Sequence, residues 1–290
     1  MSGSAADGRL RVLIVSSGDA LARIAAGALL EPGAPWRVVG LLETRFEPIA
    51  RLRLVKSAAS ERSLYYALYM QLEMFAARRS LDALGARGRA EWAPALADAV
   101  QAQGGRAMLT TQPNAGAALE FARQLAPHLV LSIRPGHILR RAFIRSFPLI
   151  LNLHLTRLPY FRGIGGVFQS LAAGERELAC TFHAIDSEGV DRGGIAAQAT
   201  VPAVPGESVL LQTLRLYLAA RALAPDVVRG VATGSLSMLP NEGGSYFSWP
   251  GPGPLGELRK RGGSLWRIGD LARAEVAIRS AVDASLGSDS

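Results

Sequence analysis

Asn152 and His154 stand two residues apart in the stretch LILNLHLTRLPYFRG, residues 149–163. The apolar run from Phe147 to Leu151 reads as an inner strand, and strand residues i and i+2 leave by the same face. A carboxamide and an imidazole therefore emerge side by side. Buried polar groups need partners, so a strand end satisfied by hydrogen bonds explains the pair equally well when it is taken alone. Its context adds carboxylates: the loop DSEGVDRGG carries Asp186, Glu188 and Asp191. With strand ends near residues 133, 154 and 185 expected on one sheet edge, amide, imidazole and carboxylate would meet there. Such a set suits acyl transfer. The amide donates to a developing oxyanion, and the imidazole, kept protonated by the carboxylate, donates a second bond or moves protons. The set contains no nucleophile, which fits direct attack by an amine substrate on an activated carbonyl carbon.

Other reactive side chains contribute less. Cys180 is the single cysteine, so there is no internal disulfide or multi-cysteine metal site, and its apolar strand context predicts an inert thiol. His128, His137, His154 and His183 are scattered, without zinc-ligand spacing. His128 and His183 are expected to be packed or partly exposed histidines, and no metal is expected. The turn Ser16-Ser17-Gly18 before a helix could hold an anion on its N–H groups or be a tight turn with no ligand. It is neither a G-x-G-x-x-G nor a P-loop.

The elements that would position these groups alternate. RVLIVSSGD (11–19) is a strand and its turn, ALARIAAGALL a helix stopping at Pro32-Gly33, and WRVVGLLETR (36–45) a second strand. This beginning marks a parallel α/β sheet, whose ligands gather beyond the carboxyl ends of the strands. The alternation resumes with a helix over 91–103, a strand at 107–109, a helix over 115–126 and a strand at 128–133. Beyond the Asn-x-His strand come a strand at 179–185, another at 195–203, and a helix from Glu207 to Arg229. Residues 46–92 interrupt the rhythm as a helical insertion, almost apolar around its circumference from Leu64 to Ala77 and basic at its flanks. Such a helix must be covered; the protein's own core, a second subunit and a membrane surface all fit, and a homodimer contact through 46–92 is the partner expectation. Residues 9–231 are expected to form the catalytic domain. The Gly- and Pro-rich residues 232–290 read as an irregular extension that wraps it.

With 49% apolar and 19% charged residues over 290 positions, the chain is ordinarily globular. No run reaches the roughly 18 apolar residues of a membrane span, and the start lacks a secretory pattern, so a cytoplasmic location is expected. The net charge of +8 invites a nucleic-acid partner, yet only Lys56 and Lys260 among the 32 basic residues are lysine. An arginine bias of that kind follows gene composition as readily as a phosphate backbone, and nucleic acid is not expected.

Residues 151–203 resemble the catalytic segment of the folate-dependent formyltransferases. The resemblance rests on Asn152-x-His154, Leu158-Pro159, Arg162-Gly163, Gly174, Thr181, and Asp191 with Gly193, in that order. It implies a Rossmann-like, mostly parallel sheet with helices on both faces. It also implies that Asn152 and His154 polarise the formyl oxygen of 10-formyltetrahydrofolate, the formyl donor, while Asp191 holds His154 charged and helps remove the proton of the attacking amine. The pterin slot implied lies between Gly136, His137, Ile138 and Leu139 on one side and Asp186, Ser187 and Glu188 on the other. Three features depart from the family pattern. Leu155-Thr156 replaces the usual Pro-Ser after the histidine. SSGD lacks the phosphate loop of the purine enzyme, which disfavours glycinamide ribonucleotide, and nothing after Asp191 reads as the extra β-barrel of the initiator-tRNA enzyme. A small-molecule amine acceptor, such as an aminosugar nucleotide, is the expectation. Three alternatives remain: hydrolysis of the same formyl group, another one-carbon or acyl transfer on this scaffold, and a non-enzymatic binding protein.

Overall fold

The computed structural model describes residues 8–45, 64–248, 250 and 252–287. Strands β1 (Leu10–Ser16), β2 (Trp36–Thr44), β3 (Arg106–Thr110), β4 (Leu129–Ile133) and β5 (Ile150–His154) run parallel. A short β6 (Phe161–Gly163) follows, then β7 (Glu177–Ala184) and β8 (Ile195–Pro202), which add antiparallel to the same sheet. The order across the seven strands is β3-β2-β1-β4-β5-β7-β8.

The strand sequences dictate two cores. In β1, Val12 and Ile14 enter a large cluster on one face, while Leu13 and Val15 enter a smaller one on the other, the period-2 alternation of a strand buried on both sides. The large face is covered by helices Ala20–Ala26 and Val209–Thr233. Ser208 caps the latter by accepting the N–H of Leu211, and Gly234, at φ 70°, ends it in the left-handed region. The smaller face is covered by Gly116–Gln124 and the single turn Arg141–Ile144. Asn152 and His154 share the parity of Ile150, which packs in the smaller cluster, so both belong to that less fully covered face.

Three expectations change. Strand β7 runs antiparallel to β5, with Thr181 opposite His154 and Ala184 opposite Leu151. Its end therefore lies away from the edge where β4 and β5 finish, and the site forms on a sheet face, beneath a loop that turns back. The apolar helix, Leu64–Gly85, is covered within the chain: Tyr66, Tyr69, Ala76, Ala77, Leu81 and Leu84 are buried in the large core. It packs beside Ala20–Ala26 and the C-terminal helix Asp270–Gly287, so its burial does not require the expected homodimer. Residues 46–63 of the expected insertion lie outside those described. The extension is also more regular than its composition predicts. Strand β9 (Ser245–Phe247) pairs parallel with β6, and helices Pro252–Lys260 and Asp270–Gly287 follow. No described helix is long and apolar enough to cross a membrane.

Candidate active site

Register explains how the polar groups meet. Asn152 lies opposite His183 in the β5–β7 ladder and beside Ser132 of β4. Ser132 Oγ–H donates to Asn152 Oδ1 at 2.9 Å, and Asn152 Nδ2 lies 3.1 Å from His183 Nε2. His183 Nδ1 is 2.9 Å from the carbonyl of Ala184 and donates to it, while Nε2 faces both Asn152 Nδ2 and, at 3.4 Å, Asp191 Oδ1. Ser132 takes the carboxamide oxygen, so the NH2 faces His183 and its second N–H remains for a ligand.

His154 Nε2 faces two oxygen acceptors, the Phe161 carbonyl at 3.2 Å and Asp191 Oδ2 at 3.6 Å. That nitrogen carries the hydrogen, and Nδ1 has no protein partner among the described residues. Phe161 O also accepts the hydroxyl of Thr156 at 2.7 Å, so the threonine that replaces the family's serine holds the loop with the same group. Thr181 Oγ–H donates to Thr156 O at 2.6 Å and receives Gln198 Nε2–H at 2.7 Å, which accounts for the threonine of the motif.

Asp191 closes the site. Its Oδ1 lies 3.4 Å from His183 Nε2, and its Oδ2 accepts the N–H of Gly163 at 2.9 Å. The residue has φ 52°, in the left-handed region that Asp tolerates better than most side chains. Gly193 is required two residues later, because a Cβ there would stand 2.0 Å from the Ala184 carbonyl oxygen. Gly163, at φ 95°, would drive a Cβ into the Phe247 carbonyl at 2.1 Å. These two glycines of the motif are places of close backbone approach.

Burial pushes the Asp191 carboxyl up, but attraction to His154, the hydrogen bond from His183 and the N–H of Gly163 outweigh it and bring the group down to about 2. Burial also governs His154: it pushes the imidazole below its ordinary 6.5, opposed by Asp191 and reinforced by His183. Burial thus works against the expectation that Asp191 holds His154 in its charged form, while the carboxylate favours the cation. Cys180 is fully buried and pushed up to about 11, chiefly by desolvation, which leaves it unreactive.

The proposed slot segments lie near one another, with Arg140 Nη1 3.9 Å from Glu188 Oε1. Gly136 has φ 68°, and Ile138 is 54% exposed. His137 Nε2 lies 3.0 Å from the Arg45 carbonyl, and Asn114 Nδ2–H donates to Ile138 O at 2.9 Å. Leu139 is buried in the smaller core, so its side chain does not line the slot. Asp186, Ser187 and Glu188 are exposed. The Ser16-Ser17-Gly18 turn is filled from within: Asp19 accepts from Ala22 N–H at 2.9 Å, Ser17 Oγ–H at 2.7 Å and Arg134 Nε–H at 2.9 Å. An anion there would meet a carboxylate, which removes the anion reading. No metal-holding group of three or more His, Cys, Asp or Glu occurs among the described residues.

His183, expected to be a packed or partly exposed histidine, is buried and contacts both Asn152 and Asp191. The signal was available: Thr181 and His183 are i and i+2 on one strand, as Asn152 and His154 are. Ser132 and Asn241, whose Nδ2–H groups donate to the Asp191 and Gly193 carbonyls, carried no motif.

A Rossmann-like sheet with a carboxamide, an imidazole and a carboxylate gathered on one face defines the class. Residues 82–228 match the family model described as formyl transferase, and the chain belongs to that family. It is 39% identical over 100 residues to the trifunctional purine biosynthetic protein adenosine-3 of Drosophila pseudoobscura pseudoobscura, covering 34% of this chain and 7% of that protein. It is 33% identical over 114 residues to the phosphoribosylglycinamide formyltransferase of Mycobacterium tuberculosis, covering 39% of this chain and 53% of the relative. The chain thus spans about half or less of these relatives. Among solved structures, glycinamide ribonucleotide transformylase 1 from Symbiobacterium toebii shares the fold at TM-score 0.53 and 21% identity, with 82% of this chain and 100% of that chain covered. A sugar N-formyltransferase from a Shewanella species does so at TM-score 0.50 and 16% identity, covering 82% and 76%.

Proposed function

We propose that the protein transfers the formyl group of 10-formyltetrahydrofolate to the amine of a small molecule. The observation that supports this best is the convergence of one carboxylate, Asp191, on two imidazoles, His154 at 3.6 Å and His183 at 3.4 Å, with Asn152 beside them. In this reading the free N–H of Asn152 donates to the formyl oxygen as the amine nitrogen attacks the formyl carbon, stabilising the tetrahedral oxyanion. Neutral His154 takes the amine proton on Nδ1, and Asp191 stabilises the imidazolium so formed. The C–N10 bond then breaks and the proton passes to N10, leaving tetrahydrofolate and the formamide. The donor's pterin would lie between Gly136, His137, Ile138 and Leu139, which offers backbone only, and Asp186, Ser187 and Glu188. Asp19 at the first turn disfavours an acceptor phosphate there, so an acceptor such as an aminosugar nucleotide would bind elsewhere in the cleft.

The test is tetrahydrofolate release from 10-formyltetrahydrofolate with and without a panel of amino sugars and their nucleotides. Amine-dependent release supports the reading. Release that ignores the amine makes the protein a hydrolase, and neither release nor folate binding makes it a binding protein.

A further inference from the structure

Residues 239–247 lie beyond the stretch that matches the family model, 82–228, yet they reach every part of the site that holds Asp191. Leu239 exchanges both backbone hydrogen bonds with Ile195 at the start of β8, at 2.8 and 2.9 Å. Among the described residues strand β9 is the sole strand partner of β6, and β6 supplies the Phe161 carbonyl beside His154 and the Gly163 N–H bound to Asp191. Between them stands Asn241, 7% exposed. Its Nδ2 donates to the Asp191 carbonyl at 3.0 Å and to the Gly193 carbonyl at 2.7 Å.

Two carbonyls two residues apart converge on one NH2 group only if the intervening turn is folded back, as the left-handed Asp191 makes it. On its other side the turn is pressed against Ala184 at Gly193. The amide orientation is fixed, because reversing it would set Oδ1 against two carbonyl oxygens. The consequence is a buried Oδ1 with no protein partner among the described residues, a cost that a residue present only to fill space would not carry.

We propose that Asn241 is a positioning residue for formyl transfer: it clamps the Asp191 turn so that the carboxylate reaches His154 and His183, which makes the extension part of the catalytic centre. This rests on the functional reading above, and the test keeps the two apart. Asn241→Ala removes the clamp, and Asn241→Asp keeps the shape while placing oxygen against both carbonyls. In the full chain, kcat for tetrahydrofolate release, measured with whichever amino-sugar nucleotide the wild type uses, should fall roughly 10- to 10²-fold in the alanine variant. It should fall further in the aspartate variant, with donor KM nearly unchanged, and Asn241→Ala should add nothing in an Asp191→Asn background. Without any substrate, the His154 midpoint in a histidine NMR titration should move down, as the imidazole loses its carboxylate while Phe161 O and His183 remain. Wild-type rates and an unmoved midpoint in both variants would overturn the clamp, as would an undiminished effect in the Asp191→Asn background or the failure of both variants to fold. A wild type inert towards every amine would overturn the formyl-transfer reading, while the NMR titration would still judge the clamp.

Discussion

Asn152 and His183 face each other across the antiparallel β5–β7 pair, with Nδ2 3.1 Å from Nε2. The contact holds the NH2 side of the carboxamide, whose oxygen accepts the Ser132 hydroxyl on the other side. His183→Ala should therefore leave Asn152 free to rotate and weaken its bond to the formyl oxygen. Losing a hydrogen bond to a charged group costs about 1.5 kcal/mol, so kcat should fall roughly tenfold with donor KM little changed. Steady-state kinetics at saturating donor reads this directly, and an unaltered kcat would reduce His183 to packing.

Asn152→Ala, His154→Ala and Asp191→Ala should each reduce amine-dependent turnover by roughly 10²-fold or more, the usual loss for an oxyanion donor or an acid/base group. Near-normal rates in all three variants would reject the assignment. Because the three groups touch one another or share His183, pairs of substitutions should fall well short of the product of the singles.

The chemistry was legible in the sequence where local geometry forces residue type. Gly163 and Gly193 sit where a Cβ would strike a carbonyl, and Asn152 and His154 follow from strand periodicity alone. The sheet's first four strands were equally readable from their apolar runs. What failed depends on pairing between distant segments. The direction of β7, and hence the place of His183 opposite Asn152, is set by a register that no short window contains. The helix Pro252–Lys260 was hidden by the Gly and Pro of NEGGSYFSWPGPGPLG, although Pro is tolerated in the first turn of a helix. Asn241 was invisible because its role exists only once β9 joins β6.

The pH dependence of stability has two parts with the same sign. His154 titrates below its ordinary 6.5 because of burial. The unfolded chain therefore binds the extra proton first, and stability declines as pH falls below 6.5. Asp191 sits at about 2 against an ordinary 3.8, so its contribution, about 2 kcal/mol, is present above 3.8 and lost as pH falls towards 2. Denaturant unfolding at pH 7, 5 and 3 should show the wild type losing stability across the series, with the wild-type advantage over Asp191→Asn shrinking only at the acid end. The acid limb of kcat/KM should have its midpoint below 6.5, as neutral His154 is the working form.

Arg134, at φ 50°, ties the end of β4 to three elements: its Nε–H donates to Asp19, its Nη1–H to Tyr217 Oη at 2.8 Å, and it faces Met74 Sδ at 3.2 Å. Nearby, buried Glu73 accepts the Tyr69 hydroxyl at 2.6 Å, and its carboxyl is raised by burial and held back by Arg134. Arg134→Met should cost about 3 kcal/mol, because Asp19 is left without its cation. Arg134→Met with Asp19→Asn should recover part of that loss. Chemical denaturation of the single and double variants checks both statements.

The cover over helix Leu64–Gly85 can be tested through concentration. Leu81 and Leu84 are 5% and 6% exposed and pack in the large core, whereas Leu68 and Phe75 are 61% and 54% exposed. If the helix is buried by its own chain, Leu81→Ala should cost about 2–5 kcal/mol by the same amount at every protein concentration. Leu68→Gln and Phe75→Gln should change stability by no more than about 0.5 kcal/mol. A dimer sealed by this helix would behave otherwise: its Tm would rise with protein concentration, and Phe75→Gln would lower it towards the value of a dilute sample. Thermal unfolding of the wild type and the three variants over a hundredfold range of concentration separates the two arrangements.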